Sequence, residues 1–531
     1  MQKINIFSFV LALMLIHSGV QAQITTNLPI VLITTPAAIT AIEQQGSMSI
    51  IDNTSGINNQ TDPATFVGMV GVRIRGNVAS PKPSYNVETW SALNVNVDTS
   101  LLGMPSDNDW VLLSSYNDRS LMRTALTNRL HEAMGRYAPK MEHCELVVNG
   151  SYQGVYLFGE KIKKKAGRLD LATLNTTDNS GIELTGGYIW KIDDGTALWI
   201  SAFAPPYATT QQIKFVIDYP DAGDITPAQT SYIKAYVDSF ETAMNASNFQ
   251  DTALGWRRYG AVNAFVDYMI MNEVSRNYDA YRSNVYMYKD KEKKMRPGPV
   301  WGFDLAWRNT ADCSSASDTG WCYQIGASCP SLGKLPPFWW SKLTTDVSFM
   351  QDLKCMYRDY RLPNQILDTN KIFMIIDSMK TRLTANNAVS RNFTQWPIWG
   401  VPLNNEPTPM ATNFNEEVDA LKQFIRNRLT WLDNKWVAGL CLWPVAINET
   451  EKNMQVEIFP NPASDWLTIQ GDFGNAKPWQ LEVLDLRGRS LYKSMFSGPR
   501  AKLDTRGFSE GIYLIRIEQN AQVLTRKLVI E

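Results

Sequence analysis

Residues 272–309 read NEVSRNYDAYRSNVYMYKDKEKKMRPGPVWGFDLAWRN. Two acidic residues in this stretch have unusual neighbours. Asp279 falls in a polar loop, and Asn284 follows five residues later. VYMYKD then forms a strand-like run with apolar and aromatic positions. KEKKMRPG is a charged turn containing Pro and Gly. PVWGF reads as a second strand that delivers Asp304. Taken singly, each Asp is an ordinary turn residue. The order of the whole stretch carries more: loop Asp, short spacer, Asn, hairpin, Asp at a strand end.

That order is the one in which protein-kinase sites arrange phosphoryl transfer. One Asp accepts the substrate proton, an Asn holds one metal ion, and a second Asp holds the metals bridging the phosphates. The Asp279-to-Asn284 spacing equals that of H-R-D-x-x-x-x-N. Asn277 and Tyr278 stand where that motif has His and Arg, and Asp304 is followed by Leu305 and Ala306, not Phe and Gly. With these departures, NYDAYRSNVYMYKD and GPVWGFDLAW resemble the signature of the CotH kinase family, secreted and spore-coat kinase-like proteins. The resemblance spans roughly residues 27–437. It implies an α+β fold: a bilobal, atypical protein-kinase-like domain with a β-rich N-terminal lobe and a helical C-terminal lobe. It also implies transfer of the γ-phosphoryl group of ATP to Ser or Thr of a protein. Asp279 is then the base or water-positioning residue, and Asn284 and Asp304 hold Mg²⁺ or Mn²⁺ bound with ATP.

The upstream sequence is consistent with that order. FVGMVGVRIRGN (66–77) forms a strand ending in Arg75-Gly76-Asn77, and VASPKPSYNVETW leads into another. A small-residue turn between strands, followed by a Lys, suits a phosphate lid, because backbone N–H groups can approach an anion there. No G-x-G-x-x-G is present. The match to the family's R-G-N-S-S…P-K-K-x-Y makes Lys82 the phosphate-contacting candidate, with Pro83 replacing the second Lys. Residues 119–135 carry apolar residues at 122, 126, 130 and 134, a stripe that predicts an amphipathic helix capped by Asp118 and ended by Gly135. CELVVNGSYQGVYLFGEKI (144–162) is a hairpin about an Asn-Gly turn. It is similar to the family's N-G-x-Y-x-G-V-Y-L-x-x-E, which places Glu160 near the base or ribose. GGYIWKID (186–193) reads as a further strand of this β-rich region, 230–275 as mainly helical, and 336–437 as helical and Trp-rich.

Composition narrows the alternatives. The chain has 531 residues, 44% hydrophobic and 11% aromatic, with a net charge of −1. Such a chain packs a core, and nothing in it suggests the basic groove that nucleic acid needs. Of three His, His17 lies in the leader; His131 and His143 have no His or Cys partner at metal-ligand spacing. H-E-x-x-H and G-x-S-x-G are both absent. The six Cys (144, 313, 322, 329, 355 and 441) include three in one polar loop, which in an exported chain predicts at least one disulfide stapling it.

Residues 1–22 read as a secretory signal peptide, and no later stretch reaches the roughly 20 apolar residues of a membrane span. Residues 438–454 read as a linker. From 455 onward, short alternating strands predict a small immunoglobulin-like β-sandwich. Phe459-Pro460-Asn461-Pro462, Leu486-Arg487-Gly488, Gly511-Ile512-Tyr513 and Lys527-Leu528-Val529 resemble the type A C-terminal sorting domain of the type IX secretion system. That resemblance implies export through the periplasm to the outside or the cell surface, with the secretion machinery as partner and the protein acceptor unnamed. Two other functions fit the same residues. Export leads to a space with little ATP, so a catalytically silent scaffold or adhesin on this fold is one. A secreted glycoside hydrolase pairing Asp304 with Glu160 or Asp279 is the other.

Overall fold

The computed structural model describes residues 23–403, 405–437, 456–471, 473, 478–485, 488–519 and 522–531. The leader at 1–22 lies outside the described residues, as does the whole of the linker at 438–454.

The N-terminal strands close into a barrel. Its order is Ile30–Thr34, Gln44–Ile51, Phe66–Arg75, Ser84–Trp90, Asp109–Leu113, Ser151–Glu160 and Met141–Val148, which pairs in parallel with Ile30–Thr34 to shut the ring. Strict alternation builds the wall. In Ser84–Trp90, Tyr85, Val87 and Thr89 are buried and the residues between them are not. Val31, Ile50, Val72, Trp110, Leu146 and Phe158 fill the interior. Trp110 stacks on Phe158 at 5.5 Å; burying a side chain of that class contributes about 1.5–3 kcal/mol.

A second sheet, all antiparallel, runs Trp199–Ile200, Lys214–Tyr219, Tyr188–Ile192, Val285–Lys289, Arg296–Pro297. Tyr188–Ile192 therefore pairs with the hairpin after Asn284, and not with the first β-rich region as its sequence position suggested. The hairpin's second strand is not PVWGF but lies upstream of it, inside the expected charged turn. The ladder covers only Arg296 and Pro297, because Pro297 and Pro299 lack N–H donors and Gly298 and Gly302 have positive φ. Val300–Asp304 runs free of the ladder as irregular chain.

Helices pack behind this sheet. Pro227–Asn245 starts with a capping box, Thr226 with Gln229, and Pro at its first position. Val262–Ser275 is buried on every face from Asn263 onward and ends at Arg276 in the left-handed conformation. The helix Arg123–Ala133 is not the one-striped helix expected. Arg123, Thr127, Asn128 and His131 are buried beside its apolar residues, because it is wedged between Met141–Val148 and Val262–Ser275. Val347–Arg361, Thr369–Thr384, Ala388–Gln395 and Phe414–Leu432 complete the helical part. Cys313 and Cys329 form the expected disulfide in the polar loop, Cα atoms 5.5 Å apart. Cys144 and Cys322 are free and buried.

The C-terminal residues form two antiparallel sheets. One holds Val456–Phe459, Trp466–Gly471 and Arg500–Asp504; the other holds Ser490–Phe496, Trp479–Leu484, Gly511–Gln519 and Gln522–Ile530. Leu467 and Ile469 of the first share a core with Trp479, Val483, Ile515 and Leu528 of the second. The whole is a mixed α+β chain with a β-rich C-terminal region. Among the described residues no helix is long and apolar enough to cross a membrane.

Candidate active site

A cleft of about 330 Å³ opens where the barrel meets the second sheet. One wall is the turn after Phe66–Arg75, with Arg75, Asn77 and Ser80. Ser114, Tyr116 and Asn117 follow from the end of Asp109–Leu113, and Thr124 and Asn128 come from the wedged helix. Asn284, Trp301, Gly302 and Asp304 close the opposite side.

Asn284 and Asp304, twenty residues apart, are thus brought together. Asn284 sits in the left-handed region, φ 55°, which Asn tolerates better than most residues. Its side chain lies directly against Gly302: a Cβ there would come within 2.7 Å of Asn284 Nδ2, and φ at Gly302 is +71°. Only Gly fits both demands. Asp304 is anchored through its backbone. Asn309 Nδ2 donates to the Asp304 carbonyl and to the Asn117 carbonyl, each at 2.6 Å. Trp307 N–H donates to Ser275 O at 2.7 Å and its Nε1 to Thr127 Oγ1 at 2.8 Å. The segment after Asp304 is therefore held by the helix that leads into the Asp279 loop.

Asp279 does not line the cleft but stands near it. Burial raises the Asp304 carboxyl to about 6, and the charge of Asp279 pushes the same way. Burial also raises Asp279, against the lowering pull of Arg282 and Lys334. Arg282 Nη2 donates to Asp279 Oδ1 at 2.8 Å while its guanidinium lies over the Tyr278 ring. The loop is braced below by Glu273, which accepts from Tyr281 Oη and from the Cys322 and Tyr323 N–H groups and faces buried Arg428.

Lys82 and Glu160 lie elsewhere. Lys82 is 1% exposed; its Nζ donates to Val155 O at 2.6 Å and Asn392 Oδ1 at 3.0 Å, over the Tyr156 ring. Burial lowers it to about 7. Glu160 Oε2 accepts from Lys140 N–H at 2.9 Å and Tyr137 Oη at 3.1 Å, and burial raises its pKa. Neither residue lines the cleft, so Glu160 and Asp304 do not form a pair across one groove.

The cation that does line the cleft is Arg75. Its guanidinium is 5.1 Å from the Trp301 ring centroid, and its buried Nη1 has no hydrogen-bond partner among the described residues. The R-G-N run contains it, but the pattern of a Lys after a small-residue turn drew attention to Lys82 instead. His131 and His143 are core residues, both with burial-lowered pKa values. No group of three or more His, Cys, Asp or Glu able to hold a metal occurs among the described residues. Asp304 and the Asn284 side-chain amide, the two such groups lining the cleft, offer hard oxygen donors, the kind a Mg²⁺- or Mn²⁺-like ion takes.

The family profile described as "CotH kinase protein" matches residues 72–432, more than half of the chain. The chain belongs to the CotH family. Residues 457–531 match the profile of a secretion system C-terminal sorting domain, which points to secretion or the cell surface. Among curated proteins, an endo-acting ulvan lyase of Formosa agariphila is 32% identical over 78 residues, 14% of this chain and 15% of that enzyme. The match thus spans under a fifth of either protein. Among solved structures, dimeric latent PorU from Porphyromonas gingivalis matches 16% of this chain and 10% of its own, at 17% identity and a TM-score of 0.13.

Proposed function

We propose that this CotH protein is an exported, metal-dependent kinase that transfers the γ-phosphoryl group of ATP to a Ser or Thr of a protein. In this reading the barrel serves as the N-terminal lobe, the second sheet and helices as the C-terminal lobe, and the tail sandwich as an immunoglobulin-like sorting module. The observation that carries it is the convergence of Asn284 and Asp304 on one cleft, with Asp279 close enough to perturb Asp304.

Asn284 and Asp304 would hold a divalent ion, which when bound supplies positive charge to the phosphate oxygens. Asp279, steadied by Arg282, accepts the proton of the acceptor hydroxyl. Arg75 takes the phosphate-contacting role, since it lines the cleft with one guanidinium nitrogen unpartnered among the described residues, and a guanidinium matches phosphate oxygens. Lys82 and Glu160 act in this reading as struts, given the partners they already have.

The test is ATP binding by the purified protein with Mg²⁺ or Mn²⁺. Wild type is expected to bind only with metal, and Asp304→Ala to lose that binding while keeping its circular dichroism and melting profile. Unchanged binding by a folded Asp304→Ala protein would remove the metal role. Binding without phosphate transfer to any protein would leave a silent scaffold.

A further inference from the structure

The last residue of the chain is held by the CotH domain. Glu531 follows the strand Gln522–Ile530, and its Oε1 accepts from the Arg136 guanidinium and, at 3.2 Å, from Asn263 Nδ2. Its Oε2 lies 3.4 Å from Arg296 Nη1, and Arg296 Nη2 is 3.7 Å from Glu510. Both ion pairs of Arg296 found among the described residues run to the tail. Arg136 is gripped from behind by Asp267 at 2.8 Å, which in turn accepts from Tyr360 Oη at 2.8 Å.

The charge match also runs the other way. Lys527 of the tail is buried toward Asp359 and Asp267 of the CotH domain, and its pKa falls because burial outweighs those carboxylates. Apolar contact accompanies the charges: Ile512 packs against the main core of the CotH domain, and Pro462 approaches Gly135. Cations meeting carboxylates in both directions, around an apolar contact, make a specific interface and not a chance touch between tethered domains.

We propose that the CotH domain is the docking partner of its own sorting domain, with Glu531 as the anchor, so that the two remain associated after the connection between them is cut. The proposal is independent of the phosphotransfer reading, since none of its residues lines the cleft. A consequence follows for export: machinery that takes this tail must compete with Arg136 and Arg296 for Glu531, or meet the tail before it docks.

The experiment uses the full chain with a protease site inserted between residues 438 and 454. After cutting, the halves are run on a sizing column at low micromolar concentration and physiological salt. The wild-type halves are expected to co-elute. Glu510→Lys combined with Glu531→Lys is expected to weaken their association about tenfold or more, and high salt to weaken the wild type. Separation of the cut wild-type halves overturns the proposal, as does wild-type retention in the double variant. Hydrogen exchange on the uncut chain gives a second reading that does not depend on cutting. Residues 262–267 should be protected in wild type and exposed in the double variant; equal exchange in both would overturn the interface.

Discussion

Two cations a few residues apart have opposite fates. Arg75 ends the strand Phe66–Arg75 and lines the cleft with one buried donor unpartnered among the described residues, whereas the Lys82 amine is tied to Val155 and Asn392. Arg75→Ala is expected to weaken metal-dependent ATP binding about tenfold to a hundredfold, the scale of one lost charge-assisted hydrogen bond. Its melting temperature should change little. Lys82→Met should do the reverse. The Val155 carbonyl loses its amine donor, costing about 1–3 kcal/mol of stability, while the folded fraction binds ATP as wild type does. Titration calorimetry beside thermal melts separates the two, and interchanged results would return the phosphate role to Lys82.

At the scale of elements, the helix Pro227–Asn245 carries a buried acid. Glu241 accepts from Ser201 Oγ at 2.8 Å and Trp339 Nε1 at 2.9 Å, and burial raises it to about 7. The unfolded chain releases this proton near the ordinary 4.5, so between that value and 7 the folded state holds more protons. Stability contributed here therefore falls as pH rises through that window. Glu241→Gln preserves the shape and both hydrogen bonds without the charge. It should match wild type near pH 4 and exceed it by about 3 kcal/mol at pH 8, at roughly 1.4 kcal/mol per pKa unit. Denaturant melts at the two pH values check this; a constant difference between variant and wild type would contradict it.

At the scale of the molecule, the cleft draws its walls from the barrel, the wedged helix and the hairpin of the second sheet. A ligand bound there bridges parts whose cores are otherwise distinct, the barrel interior and the main core. Mg²⁺ with ATP at a hundred times its dissociation constant should stabilise the folded state by about 2.7 kcal/mol. The barrel and helical part should then melt together at a higher temperature. Asp304→Ala should show no such shift, and a shift confined to one of the two parts would argue against a bridging site.

Much of this was legible along the chain because it is local. The five-residue spacing from Asp279 to Asn284, the hairpin after it and the approach to Asp304 depend on turns that Asn, Gly and Pro set within a few residues. The alternating strands of the tail are equally local, and the disulfide closes a loop of only 16 residues. What the chain alone left open is where a side chain ends once distant segments meet. Alternation shows that Lys82 adjoins a strand, but its amine is claimed by Val155 and Asn392, 73 and 310 residues away, when the barrel closes and a helix covers it. Arg136 and Glu531, 395 residues apart, are joined in the same way. Periodicity records which face of an element is buried; only packing decides what it is buried against, and that is why the residue types of the site came from the sequence and the choice of its cation from the fold.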